Sequence, residues 1–157
     1  MTIAVVYLDA TPLGLLSQLI SSSPTVDACH EWFYRLLNNS IRVVIPEITD
    51  YEVRRELIRT ANKKGVARLT ALRSEAEYLP ITTTAMERAA ELWADARNTG
   101  RATADKHSLD CDVVLAAQAL TDVEAFSLQP DEYVIATINV RHLARYANAA
   151  LWQDITV

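Results

Sequence analysis

The stretch Ile3-Ala4-Val5-Val6-Tyr7-Leu8-Asp9-Ala10-Thr11-Pro12 decides how this chain is read. Residues 3–8 are apolar without a break and rich in branched side chains, the mark of a strand covered on both faces. The run ends on Asp9, and Thr11-Pro12 then supplies an N-cap and a first-turn proline, so a helix is expected to follow at once. A buried strand that passes directly into a helix is the opening of an α/β unit.

The same alternation continues outward from that opening. Polar residues 21–25 end the first helix, and a second fits residues 26–38, with Ala28, Trp32, Leu36 and Leu37 as its inner face. Residues 41–45 read as a strand. Pro46 opens a third helix running towards Lys64, with Gly65 as its stop, and residues 66–77 continue as helix. Residues 78–81 form a short strand, and residues 82–84 cap a helix whose stripe is Met86, Ala90, Trp93 and Arg97, ending near Gly100. Residues 101–108 are polar and loop-like. Residues 113–120 are almost wholly apolar and alanine-rich, a buried helix rather than a strand. Residues 133–136 are a strand, 140–146 a short helix, and 155–157 an edge strand. Connections of this length cannot be hairpins, so the expected fold is α/β, a mostly parallel central sheet with helices on both faces. No repeat, low-complexity segment or linker interrupts it, and residues 1–157 read as one domain.

Composition narrows the function classes. The 157 residues carry a net charge of -5, so the whole-chain balance announces neither nucleic acid nor an anionic membrane. No apolar run approaches the roughly 20 residues of a membrane helix, and the first residues lack the pattern of a signal peptide, so a cytoplasmic protein without a membrane partner is expected. Cys29 and Cys111 lie 82 positions apart with no paired metal-site spacing, so a structural zinc site and a disulfide framework are not expected, and they read as reduced thiols.

In open parallel sheets, sites form beyond the carboxyl ends of the strands. Asp9 closes the first strand and Asn139 follows the fourth. Glu52 lies one residue before Val53, which with Leu57, Ile58 and Ala61 is expected to face the core. Asp110 and Asp112 begin the apolar helix. Each of these acids has a plain structural reading beside a functional one. Asp110 and Asp112 serve equally as N-caps, and Glu52 forms an exposed ion pair with Arg55. Asp9 resists such a reading, because a buried strand does not end in an unpaired carboxylate for the sake of packing. Hard oxygen donors gathered without His or Cys suit Mg²⁺ or Mn²⁺. An aspartyl-phosphate mechanism would want a second acid two residues after Asp9, where Thr11 stands, and no glycine-rich phosphate loop appears.

Two further features stand out. Arg54, Arg55, Arg59, Lys63, Lys64, Arg68 and Arg73 oppose only Glu56, a local balance of +6 that reads either as a phosphate-binding track or as a solvated helical face. Trp32, Phe33, Tyr34, Leu36 and Leu37 are too many to face one core, which suggests an interface between two copies. His107 and His142 offer no paired geometry, and His142 reads as a structural or backbone contact rather than a general base.

Four segments taken in order carry a resemblance. Tyr7-Leu8-Asp9-Ala10-Thr11-Pro12-Leu13, then Val43-Val44-Ile45-Pro46 leading to Tyr51-Glu52-Val53-Arg54-Arg55-Glu56-Leu57, then Asp110-Cys111-Asp112-Val113-Val114-Leu115-Ala116-Ala117-Gln118-Ala119, and finally Val134-Ile135-Ala136-Thr137-Ile138-Asn139-Val140-Arg141-His142-Leu143 resemble the PIN-domain nucleases. Within that family they resemble the toxin group related to VapC. The resemblance implies a PIN-like three-layer sandwich and a divalent-metal-dependent endoribonuclease. It implies Asp9, Glu52 and Asp112 as catalytic and metal-binding acids, with Asp110 and Asn139 as further candidates and Thr11 and Thr137 in support. Arg54, Arg55, Arg59, Lys63, Lys64 and Arg68 would meet the RNA. Mg²⁺ or Mn²⁺ is the implied cofactor, and a homodimer and a small antitoxin protein are the implied partners. Asn139 stands where many members carry a fourth acid and others carry Asn, and Thr11 replaces a commoner Asn or Ser. A catalytically silent module that binds RNA or a protein partner is the rival reading.

Overall fold

The computed structural model describes residues 2–100 and 106–157, with side chains left undescribed for 106–109. Strand β1 (Val5–Leu8) leads into α1 (Ala10–Leu16) and α2 (Pro24–Asn38). Then come β2 (Arg42–Pro46), α3 (Glu47–Arg59), α4 (Lys63–Leu72), β3 (Glu77–Leu79) and α5 (Thr83–Asn98). The chain ends with α6 (Lys106–Ala125), β4 (Tyr133–Thr137), α7 (Val140–Leu143), β5 (Ala149–Leu151) and a 3₁₀ turn at Trp152–Asp154. The sheet order is β3-β2-β1-β4-β5, and every pairing is parallel.

Alternation along the strands divides the core between the two faces. Val6, Leu8, Val43, Ile45, Val134 and Ala136 pack in one cluster with Leu13, Trp32, Phe33 and Leu69 from α1, α2 and α4. Val5, Tyr7, Val44, Tyr133 and Ile135 pack in another with Leu115, Ala119 and Leu143 from α6 and α7. The result is the expected sandwich of helices on both faces of a parallel sheet. β2 and β4 flank β1, and the helices that lead into them, α2 and α6, lie on opposite faces of the sheet. A crevice therefore opens at its carboxyl end.

Several local expectations are corrected. Asp9, not Thr11, caps α1, its carboxylate accepting the Ala10 N–H at 2.7 Å. In α2 the inner face is Val26, Cys29, Trp32, Phe33 and Leu36, while Ala28 is exposed. That face absorbs most of the apolar residues that suggested an interface: Trp32, Phe33 and Leu36 are buried, Leu37 packs against the core, and Tyr34 alone of the five is exposed. The third helix stops at Arg59 because Ala61 takes a left-handed φ of 55° and Asn62 starts a new helix, its side chain accepting the Gly65 N–H at 2.9 Å. Gly65 is therefore not a stop. It lies in the first turn of α4, where a Cβ would come within 2.8 Å of Asn62 and 2.9 Å of Leu57. Ile58 is 63% exposed and Ala61 is exposed too, so neither joins Val53 in the core. In α5 the buried stripe is Ala85, Ala89 and Ala96, one position before the expected one, leaving Met86, Ala90 and Trp93 outward. The last strand is Ala149–Leu151 rather than 155–157. Ile155 is buried instead, its carbonyl accepting the Trp32 indole N–H at 3.1 Å.

The expected loop at 101–108 lies outside the described residues as far as 105, and from Lys106 the chain is already helix. Asp110 and Asp112 thus stand four and six residues inside α6, beyond the free N–H groups of its first turn, so neither is an N-cap. Gln118 fixes α6 against its neighbours. Its buried amide accepts the Ile48 N–H at 3.1 Å and donates to the Leu79 carbonyl at 2.9 Å, joining α6 to the start of α3 and the end of β3.

Candidate active site

Asp9 is 7% exposed at the carboxyl end of the central strand. One carboxylate oxygen takes the Ala10 N–H, and the other takes the Thr137 hydroxyl at 2.6 Å from the end of the adjacent β4. The Asn139 N–H donates in turn to the Thr137 oxygen at 2.8 Å, so Thr137 stands between Asp9 and the loop that starts α7. Burial raises the Asp9 carboxyl, against the lowering effect of these two donors.

Glu52 on α3 and Asp112 on α6 are brought to the same edge of the sheet. Burial raises the Glu52 carboxyl, and the Asp9 charge raises it further, while Arg55 and a hydrogen bond with Cys111 act the other way. Asp112 is pushed up to about 7, first by burial, then by the charges of Asp9 and Glu52, with Arg145 opposing. The Nδ1 of His142 is 3.9 Å from an Asp112 oxygen. Three carboxylates from three elements feel one another's charge across one crevice. Among the described residues, no three His, Cys, Asp or Glu side chains are drawn together tightly enough to enclose an ion.

The remaining expected residues are placed as follows. Asp110 is exposed on α6. Asn139 is exposed and forms the turn into α7 through its backbone. Thr11 lines a groove of about 510 Å³ between α1 and α3, beside Glu52, Gly14 and Leu57. The basic run is largely engaged within the fold. Arg54 donates to both oxygens of the buried Asp50, at 2.8 and 3.0 Å, and to Thr70. Arg73 also reaches Asp50, at 3.2 Å, and Arg68 donates to the Ser17 carbonyl at 2.6 Å. Arg59 pairs with Glu56. Arg55 lies over the Tyr51 ring, and Lys63 and Lys64 stand exposed at the start of α4. Sequence reasoning missed His142 and Arg145 as neighbours of Asp112. The available signal was the one-turn spacing from Asn139 to His142 in a helix that begins at the sheet's carboxyl edge.

A pH dependence follows from the raised carboxyls. In the fold Asp112 holds its proton up to about 7, whereas in the unfolded chain it releases it near 3.8. Between about pH 4 and 7 the folded state therefore binds more protons than the unfolded state, and stability falls as pH rises through that window. Asp9 and Glu52 shift in the same direction. Melting followed by circular dichroism without divalent ions should show a midpoint that declines from pH 5 to 7.5, corresponding to about 1–4 kcal/mol in all. A midpoint that climbs over that range would contradict it.

Interacting carboxylates at the carboxyl edge of a parallel sheet, backed by helices on both sides, define an α/β sandwich with an acidic crevice. The family model for the PIN domain matches residues 14–125, and the chain belongs to that family. The match takes in Glu52 and Asp112 and leaves Asp9 and Thr137 outside it. The fold is similar to VapBC2 from Rickettsia felis bound to a promoter DNA fragment, with a TM-score of 0.68, 15% identity, and 94% of this chain and 98% of the other covered. It is similar to VapBC-1 from nontypeable Haemophilus influenzae, with a TM-score of 0.66, 15% identity, and 96% and 99% covered. DNA-bound VapBC from Salmonella typhimurium gives 0.61, 20% identity, and 97% and 99% covered. No curated protein matches the chain.

Proposed function

We propose that this protein is a divalent-metal-dependent endoribonuclease, the toxin of a toxin–antitoxin pair. The observation that carries the reading is the mutual charge of Asp9, Glu52 and Asp112, held on three elements at one sheet edge. The donor set fits a hard divalent ion, Mg²⁺ or Mn²⁺. It consists of carboxylate oxygens, and their repulsion disfavours the ionised site until a cation offsets it. Asp9, Glu52 and Asp112 would hold the ion. When bound, it supplies an acidified water and positive charge for the phosphoryl oxygens.

The protein's own groups set the stage for that chemistry. Thr137 and the Ala10 N–H orient both oxygens of Asp9, so its outward lone pairs point from a fixed position. Gln118 holds the helices of Glu52 and Asp112 in register. Arg55 and Arg145 bring positive charge to the Glu52 and Asp112 sides, where they moderate repulsion and attract a phosphodiester. Asp110 and Asn139 stay outside the acidic set in this reading, and Asn139 contributes its backbone.

An antitoxin partner is part of the proposal, supported by the similarity to three VapBC structures. A homodimer rests on family resemblance, since the apolar residues that suggested it are mostly core. The proposal takes residues 1–157 as one PIN unit in the cytoplasm. No described helix is long and apolar enough to cross a membrane.

The test is cleavage of a fluorescent single-stranded RNA panel with Mn²⁺ or Mg²⁺, with and without chelator. Cleavage that chelator abolishes supports the reading, and chelator-insensitive cleavage removes it. Firm RNA binding without cleavage of any substrate would favour the silent module, the reading that Thr11 and the neutral Asn139 support. Of the basic run, the exposed Lys63 and Lys64 are the expected phosphate contacts. Replacing both with Ala should flatten the slope of log affinity against log salt by about 1.4, at about 0.7 per contact on a single strand. An unchanged slope would assign them to a solvated face.

A further inference from the structure

The side chain least explained by packing at the acidic crevice is His142. It lies on α7, a helix too short to bury much apolar surface, and its side chain is 42% exposed with Nδ1 close to Asp112. The 3.9 Å gap to the Asp112 oxygen is wider than a hydrogen bond. Two donor atoms on one ion, with bonds of about 2.1 Å, stand at most about 4.2 Å apart, so the gap is one that a shared ion can span.

The backbone that carries the ring is tied to the site. The Asn139 carbonyl accepts the His142 N–H at 3.1 Å, the Asn139 N–H donates to Thr137, and Thr137 donates to Asp9. An unbroken chain of hydrogen bonds therefore ties the backbone of His142 to the carboxylate at the centre of the site. Asn139 is exposed, and His142 brings an imidazole nitrogen within 4 Å of the Asp112 carboxylate.

We propose that His142 is a nitrogen ligand to the divalent ion, completing a mixed set with Asp9, Glu52 and Asp112. The inference rests on the metal-site reading above and adds a consequence for the choice of ion. Mg²⁺ prefers oxygen donors and retains water, whereas imidazole is a good ligand for first-row transition ions. The site therefore selects Mn²⁺ over Mg²⁺, and His142 is the source of that preference.

The test uses the full chain and Mn²⁺ alone. Loss of the free Mn²⁺ signal in electron paramagnetic resonance reports binding, and pulsed measurement of ¹⁴N coupling reports a directly bound imidazole. The expected result is one nitrogen coupling in the native protein, absent in His142→Gln and retained in His107→Gln. Mn²⁺ affinity should fall in His142→Gln by at least the roughly ten-fold that losing an outer-sphere partner costs, with Mg²⁺ affinity changed much less. His142→Glu should raise Mg²⁺ affinity relative to Mn²⁺. Mn²⁺ that binds without nitrogen coupling, or with coupling that survives His142→Gln, overturns the role of His142 and leaves the carboxylate site standing. Absence of any Mn²⁺ binding overturns both. The side chain is partly exposed, and the native nitrogen signal reads the outcome even where a variant is lost.

Discussion

Asp112→Asn is expected to lower RNA cleavage by about 100-fold or more while leaving the protein folded and, above pH 7, more stable than the native chain. Losing an outer-sphere partner already costs a metal site about 10–100-fold, and a carboxylate facing the ion itself should cost no less. The stability expectation has a separate cause. Asp112 lies in the second turn of α6, where it caps nothing, and Asn differs little from Asp in helix propensity. Its charge is disfavoured by burial and by Asp9 and Glu52, so a neutral amide of the same shape relieves the fold of that repulsion. Activity lost while stability is gained is the signature of a residue retained for chemistry. The measurement pairs the RNA cleavage assay with urea unfolding at pH 7.5. Cleavage that survives in Asp112→Asn would remove the metal-nuclease reading. Asn139→Asp provides the opposite arm: an added acid at the same edge should tighten metal binding and leave cleavage equal or faster.

Asp122→Ala should produce the largest loss of stability, about 3–5 kcal/mol, the usual cost of removing one member of a buried charged pair. Asp122 accepts the buried Tyr7 hydroxyl at 2.6 Å and both terminal nitrogens of Arg42, at 2.8 and 3.2 Å. Without it, the Tyr7 phenol of the central strand loses its acceptor, and Arg42 keeps Glu77 and the face of the Phe126 ring. Arg42 opens β2, so this network sits at the amino edge of the sheet, opposite the acidic crevice. Cleavage per folded molecule should therefore be unchanged, in contrast with Asp112→Asn. Asp122→Asn keeps an acceptor for Tyr7 and should cost about 1–3 kcal/mol. Urea unfolding decides the matter, and a loss under about 1 kcal/mol for the Ala variant would show that solvent reaches the network freely.

The two variants separate the properties that local sequence determines from those that assembly determines. Unbroken apolar runs at residues 3–8 and 41–45, each followed by helix signals, sufficed to define a parallel sheet with helices on both faces, because strand burial and crossover length are written in local composition. Asp9 could be singled out as a candidate for the same reason, a carboxylate ending a buried strand, and the structure adds that it caps α1. Helix phase was less legible. In α5 a run of alanines and mixed polar residues leaves two stripes nearly equal in hydrophobicity, and contact with α6 chose Ala85, Ala89 and Ala96. At residues 60–62 the break depends on the left-handed Ala61 and on the Asn62 cap, which look unremarkable in a helical pattern.

The meaning of individual charges belonged to the tertiary structure. Asp50 lies far in sequence from Arg73, and their contact converts much of a +6 run into an internal brace. Arg42 and Asp122 meet although they come from elements 80 positions apart. The same holds for His142, whose position beside Asp112 exists only because β4 pairs with β1 and carries α7 to the crevice. Residue type and local pattern therefore determined the sheet, the helices and the list of acids. Which charges are neutralised, which repel and which reach one another depends on distances across the fold, because electrostatic interactions decay with separation in space and are indifferent to separation along the chain.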